Sequence, residues 1–445
     1  KPFRTSGPPA RRHSTEPESS VALRAADSPC EPPMAAIRNA SVVALAALGG
    51  LAAAAAENGT RAQKPVAWNH TLLERGPAHV DLVMKYEGAE WPAMDVAQSS
   101  ASGETHVFAI GDWGTLLPGH FTAPNNRPTG TKNKCPDKCE YVRGIDDRAQ
   151  LLVASAMRAR AARSNPQYVL NAGDSFYWGG ITQPCGRGYA SPNGHTMREF
   201  AYVWQSVYGS LTNKPWISAL GNHDYGGYMF TMAWDQQIAY SHTNPNWVMP
   251  ARYFSRKMNH PGFTVEYFVI DSNAYDAKDP GEDPEHNICG DAHNIPGASC
   301  ASIGGPSSTR HCKEWFWSSY RTQQRWMERR LAASTADWQV VVTHFPCHHD
   351  SGWYQMLHAR YGLDLLVTGH RHAQELHNIG GLTCFVTGGG GGITSERAPH
   401  GENTNQYGFF DLTLSREAIK LESVNLHGKV IGTATVRPKH RLLLL

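Results

Sequence analysis

Residues 107–116 read VFAIGDWGTL. Val107 to Ile110 is a short apolar run of the kind a strand buried on both faces needs. The run halts at Asp112, with Gly111 before it and Trp113-Gly114 after it. A carboxylate held at a strand end between glycines must face something. Taken alone, Asp112 is equally well explained as a helix cap.

The same layout returns along the chain. QYVLNAGD (167–174), PWISALGN (215–222), DWQVVVTH (337–344) and LDLLVTGH (363–370) read as strands that stop at Asp174, Asn222, His344 and His370. GFTVEYFVID (262–271) reads as a further strand. Helical apolar spacing marks residues 145–164, 198–211 and 324–334. Strands alternating with helices indicate right-handed βαβ units and a largely parallel sheet. LTCFVTGG (382–389), YGFFDLTLS (407–415) and AIKLESVNL (418–426) alternate more like antiparallel strands and would supply a second sheet. The expected class is therefore α/β, with a two-sheet core and helices outside. Sites in such sheets form beyond the carboxyl ends of the strands. Residues 277–312 read as a long polar loop tied down by cysteines.

Bulk properties narrow the function. The 445 residues are 41% hydrophobic and 18% charged, enough apolar mass for a sizeable core. A net charge of +2 gives no field that would point to nucleic acid or an anionic membrane. Residues 1–33 have the composition of a disordered or non-native leader, and Met34 reads as the true start. Residues 34–56 have the layout of a signal peptide: Arg38, the small apolar run Ala40 to Ala56, and Ala54-Ala55-Ala56 for cleavage. The rival is a membrane anchor, for which the run is short and weakly apolar. Residues 57–103 read as a polar lead-in, 104–430 as the main folded domain and 431–445 as a tail. Cleavage would remove Cys30 and leave eight of nine cysteines, an even set that suits disulfides in an exported chain. Cys135 and Cys139 fit either a metal pair or a disulfide or two free thiols. Asn58 and Asn69 fit the pattern of glycan acceptors.

Collected, the strand ends supply Asp112, Asp174, Tyr177, Asn222, His223, His344, His370 and His372. Carboxylate, phenolate, amide oxygen and imidazole suit hard to borderline metals. The set is too large for one ion and sized for two, with Asp174 the candidate bridge. Each residue has a plainer role when isolated: a cap for either Asp, a turn for GNHD, a core aromatic for Tyr177, a satisfied buried histidine for His344. The joint order of five motifs, each after a strand, is what outweighs those roles.

In that order, GDWG, GDSFY, GNHD, VVTH and GHRH, the chain resembles the calcineurin-like binuclear metallophosphoesterases. Within them it is similar to the purple, or tartrate-resistant, acid phosphatases. The resemblance spans about residues 104–430 and implies a four-layer αββα sandwich: two mixed sheets flanked by helices. Most of the superfamily carries a histidine two positions after the first Asp; here Gly114 stands there, and Tyr177 replaces the lost ligand as in the purple enzymes. The resemblance implies Fe(III) on Asp112, Asp174, Tyr177 and His372. It implies a divalent ion (Fe, Zn or Mn) on Asp174, Asn222, His344 and His370. His223 would lie just outside the ligands as the catalytic acid.

The implied reaction is hydrolysis of phosphate monoesters by metal-hydroxide attack. The enzyme would be secreted, or carried to a vacuole or lysosome. Small phosphate monoesters, or phosphoproteins, would be its substrates, with no nucleic acid and no stable membrane span. The alternatives are another phosphohydrolase, such as a phosphodiesterase or nucleotidase, or a non-catalytic secreted protein keeping the fold. The interval from Glu57 to Glu104 is too short for the extra β-domain of plant-type enzymes. Family members often place another histidine where Trp353 stands, while His348 and His349 lie nearby, so His223, His348 and His349 all remain open as proton donors.

Overall fold

A computed structural model of the chain describes residues 88–97, 103–114, 144–146, 148–186, 192–284, 286–393 and 406–439. The expected leader and signal peptide, with Asn58, Asn69, Cys135 and Cys139, lie outside the described residues.

The strands are β1 (Ala89–Asp95), β2 (Thr105–Ile110), β3 (Val169–Asn171), β4 (Trp216–Ser218), β5 (Trp247–Val248), β6 (Phe254–His260), β7 (Phe263–Val269), β8 (Trp338–Val342), β9 (Leu365–Thr368), β10 (Gln374–Ile379), β11 (Leu382–Thr387), β12 (Gly408–Leu414), β13 (Ile419–Asn425) and β14 (Val430–Val436). They form two seven-stranded mixed sheets, ordered β1-β6-β7-β8-β9-β11-β10 and β14-β13-β12-β2-β3-β4-β5. In the second, β2, β3, β4 and β5 run parallel, with Phe108 opposite Val169 and Val169 opposite Trp216. In the first, β7, β8, β9 and β11 run parallel, with Val340 opposite Leu365.

The quoted run explains the layering. Val107 and Ala109 point into an apolar cluster shared with Val265, Val340, Val342 and Val367 of the other sheet. Phe108 and Ile110 point the opposite way, into a cluster with Val153 and Met157 of helix α1 (Ala149–Ser164). With both faces covered, the strand tolerates no polar alternation. Helix α1 stops where Asn165 adopts a left-handed conformation ahead of Pro166, its N–H bonded to Ala161. Residues 198–211, expected as one helix, instead pass from α2 (Gly194–Glu199) through a π turn at Phe200–Gln205 and a short α turn at Ser206–Tyr208 to a 3-10 turn at Gly209–Asn213. Short helices α3 (Asn222–Tyr225) and α4 (Trp234–Ser241) follow.

Helix α5 (Thr309–Ala333) begins well before the expected 324, capped by the Ser308 side chain on the His311 N–H. It buries Cys312, Phe316, Tyr320, Gln323, Met327 and Leu331, one stripe at helical spacing. Helix α6 spans Ser351–Tyr361. No described helix is long and apolar enough to cross a membrane.

Two boundaries differ from the sequence reading. β1 lies inside the stretch taken as a lead-in, yet pairs in parallel with β6. β14 runs on from residue 430 into the stretch taken as a tail, yet pairs with β13. Both are edge strands with exposed polar positions, so neither shows the apolar run of a central strand. The 277–312 loop is tied down by Cys289–Cys312 and Cys185–Cys300, and Cys347–Cys384 joins the turn after β8 to β11.

Candidate metal centre

Five parallel strands, β2, β3 and β4 of one sheet and β8 and β9 of the other, end at the same rim. The turns after them lie backbone to backbone. The Asp112 N–H donates to the Gly173 carbonyl at 2.9 Å, the Trp113 N–H to the Asp174 carbonyl at 3.2 Å and the Tyr177 N–H to the Gly114 carbonyl at 2.6 Å. A Cβ on Gly114 would sit 1.6 Å from the Ser175 carbonyl oxygen. No side chain, histidine included, fits at 114 while these turns stay in contact. Asp112, Asp174 and His370 have φ of 57°, 51° and 70°. Left-handed backbone at three non-glycine residues of one site is costly and characteristic of functional positions.

The side chains gather in two sets. Around Tyr177 Oη lie Asp174 Oδ2 at 2.7 Å, Asp112 Oδ1 at 3.1 Å and His372 Nε2 at 3.3 Å. Its one hydroxyl proton can serve only one of the three. Around His344 Nε2 lie Asn222 Oδ1 at 3.0 Å and the same Asp174 Oδ2 at 3.4 Å. Ligand atoms of Asp112, Asp174 and His344 all fall within 4.8 Å of one another, and the three residues are buried.

Elementary chemistry fixes the histidine tautomer. His344 Nδ1 is 2.8 Å from the Ala172 carbonyl, which can only accept, so Nδ1 carries the proton. The Nε2 lone pair of neutral His344 then faces two oxygens, and either a second proton or a cation must stand between them. Asn222 presents its oxygen because its Nδ2 donates to Asp276 Oδ2 at 3.1 Å.

The charges show the same need. Burial pushes the Asp112 carboxyl well above its ordinary range against the pull of His344, and the neighbouring Asp174 adds to the rise. Burial also pushes Asp174 up, but His344, His223 and the hydrogen bonds outweigh it and hold Asp174 below the ordinary range. Burial would lower His344, yet Asp174 and Asp112 raise it to about 10. Burial, then the two carboxylates, raise Tyr177 well above a usual phenol. Protons alone thus keep the cluster neutral enough to exist, and a bound cation would take over that role, reversing the rises at Asp112, His344 and Tyr177 and holding Asp174 ionised. The donor set fits a bound metal on these grounds.

His370 reaches the rim. Its ring stacks on Phe345 at 4.1 Å and lies 5.2 Å from the His344 ring, while its N–H donates to both Asp112 oxygens at 3.0 and 3.1 Å. The His223 N–H donates to Asp174 Oδ1 at 2.8 Å, and its Nδ1 donates to the Trp178 carbonyl, which leaves Nε2 as the outward nitrogen. His349 is half-buried, with its ring 6.3 Å from that of His370, while His348 is exposed. Trp353 is turned away, its Nε1 bonded to Glu328 and its ring against Tyr320.

Sequence reasoning missed the residues that hold this set in place. Asp224, inside the GNHD motif, accepts from the Ser175 N–H at 2.9 Å and the Gly221 N–H at 2.8 Å, tying two ligand turns together. Asn171 accepts from Trp113 Nε1 at 2.9 Å and donates to Ser175 Oγ at 2.9 Å. Asp276 follows β7, where nothing in the local sequence marks it.

The family model for the calcineurin-like phosphoesterases matches residues 105–374. The chain is similar to tartrate-resistant acid phosphatase type 5 of Homo sapiens, 24% identical over 322 residues, which is 67% of this chain and 79% of that protein. It is similar to purple acid phosphatase 7 of Arabidopsis thaliana, 24% identical over 260 residues, 54% of this chain and 65% of that protein. Among solved structures, GAP50, the anchor in the inner membrane complex of Plasmodium, superposes with a TM-score of 0.48 at 16% identity, covering 76% of this chain and 90% of that one.

Proposed function

Because the chain belongs to the calcineurin-like phosphoesterase family, we propose that it is an acid phosphatase acting on phosphate monoesters at a binuclear metal centre. The supporting observation is one oxygen: Asp174 Oδ2 is shared by the Tyr177 set and the His344 set, as a bridging carboxylate requires. In this reading Asp112, Asp174, Tyr177 and His372 hold Fe(III), for which a phenolate is a fitting hard donor. Asp174, Asn222, His344 and His370 hold a divalent ion: Fe, Zn or Mn. When bound, such a pair supplies Lewis acidity that offsets the charge of a phosphate dianion and makes water nucleophilic in acid.

The chain's own residues do the rest. Asp112 and Asp174 balance the added positive charge within a buried site, where it cannot be screened by solvent. His223, fixed by the Trp178 carbonyl and by Asp174, offers Nε2 to the phosphoryl oxygens or to the departing alcohol. The three disulfides among the described residues suit an exported chain, secreted or delivered to a vacuole or lysosome. The proposed catalytic unit covers residues 104–430, together with the edge strands β1 and β14.

The experiment is turnover of p-nitrophenyl phosphate beside bis-p-nitrophenyl phosphate over acid and neutral pH, with metal-loaded protein. Preference for the monoester with an acid optimum is expected. Preference for the diester would assign the site to a phosphodiesterase, and no turnover of either would leave a non-catalytic relative.

A further inference from the structure

We infer that Asp276 is a positioning residue that sets which face of the Asn222 amide meets the metal centre. The inference rests on the two-cation reading of the site and deepens it.

An asparagine amide has two faces of opposite chemistry, an accepting oxygen and a donating NH2. In this site the two faces compete. With the oxygen inward, Asn222 Oδ1 stands 3.0 Å from His344 Nε2, and Asp174 Oδ2 stands 3.4 Å from the same nitrogen. That arrangement gathers acceptors and is satisfied by a cation. With the amide turned over, the NH2 would donate to the His344 lone pair. The flipped amide would satisfy the pocket without metal and block it.

Asp276 decides between them. Its Oδ2 lies 3.1 Å from Asn222 Nδ2, so a flip would oppose two oxygens in a buried place.

Asp276 is itself well anchored through its backbone. It ends the 3-10 turn Asn273–Asp276, and its backbone carbonyl accepts from the Ile288 N–H at 2.9 Å, one residue before the Cys289–Cys312 disulfide. At the other end of that turn, Asn273 Nδ2 donates to the Leu220 carbonyl at 2.9 Å, two residues before Asn222. The turn and the ligand loop are therefore in fixed register. Outer partners of metal ligands commonly govern metal affinity by about 10–100-fold.

The test is a double-mutant cycle read by metal binding. Zn2+ is titrated into iron-loaded wild type, Asp276→Ala, Asn222→Asp and the double variant, with the visible spectrum recorded throughout. Asp276→Ala should bind Zn2+ about 10–100-fold more weakly and keep the band that reports on the Tyr177 side. A carboxylate at 222 has no wrong face, so in the Asn222→Asp background the Asp276→Ala loss should vanish or reverse. Asp276→Asn, whose amide can pair with either face of Asn222, should fall between wild type and Asp276→Ala.

Equal losses from Asp276→Ala in both backgrounds would make the role merely structural and overturn the inference. So would wild-type Zn2+ affinity in Asp276→Ala. Wild-type protein that takes up no second ion would instead refute the two-cation reading, and the inference with it.

Discussion

Replacing Asp224 by alanine should loosen the site from beneath without removing any proposed ligand. Asp224 is fully buried; its Oδ1 accepts from the Ser175 N–H at 2.9 Å and from Gln237 Nε2 at 2.9 Å, and its Oδ2 from the Gly221 N–H at 2.8 Å. Ser175 follows Asp174 and Gly221 precedes Asn222, so the carboxyl joins the two turns that carry them. Truncation strands three buried donors. At about 1–3 kcal/mol for each buried donor left unpaired, the sum is about 3–9 kcal/mol, with the low end favoured if water enters the gap. Asp224→Asn keeps one accepting oxygen. With that oxygen facing Ser175 and Gln237, only Gly221 opposes the new NH2, and the cost falls to about 1–3 kcal/mol. Urea unfolding of wild type and both variants measures the difference, read from the midpoints at constant slope. The ordering alanine, then asparagine, then wild type is expected. An alanine variant within about 0.5 kcal/mol of wild type, the range of an ordinary surface change, would refute the tie between the turns.

Other perturbations separate the remaining roles. His223→Ala should keep both metals and lose about 10²-fold in kcat; undiminished turnover in a steady-state assay would remove His223 from the scheme. Gly114→Ala places a Cβ 1.6 Å from the Ser175 oxygen and should force the first two turns apart, seen as a lower Tm and lost metal. Asp235 gives a pH signature distant from the ligands. Its carboxyl accepts from the Gly186 N–H, and burial pushes it up to about 7. A folded-state value above the unfolded one means a stability contribution that is full at low pH and lost as pH rises toward 7. Asp235→Asn lacks that loss, so its unfolding free energy relative to wild type should improve by up to about 4 kcal/mol between pH 4 and 7. A flat difference in urea unfolding would contradict the shift.

The sequence displayed the parts of the fold that are fully buried. Val107 to Ile110, Val340 to Val342 and Leu365 to Val367 lie in strands covered on both faces, and their unbroken apolar runs are the signature of that burial. β6 was illegible because its residues, FSRKMNH, are mostly polar, with Arg256 and His260 nonetheless buried. The proposed ligands were legible because each follows a strand and two glycine-bounded motifs bracket them. Asp276 was not, since its role depends on an amide more than fifty residues away in the chain. The proximity of His349, rather than His348, to His370 likewise came from the turn at Cys347–Asp350 and not from local pattern.

The most direct measurement is a metal count with a visible spectrum on purified protein, wild type and Tyr177→Phe side by side. Two ions per chain, one of them iron, and a visible band that disappears with the phenolic oxygen are the expected results. Wild-type protein that binds no metal under iron and zinc loading, or a Tyr177→Phe variant that keeps the colour, would contradict the assignment of Asp112, Asp174, Tyr177 and His372 to an iron site.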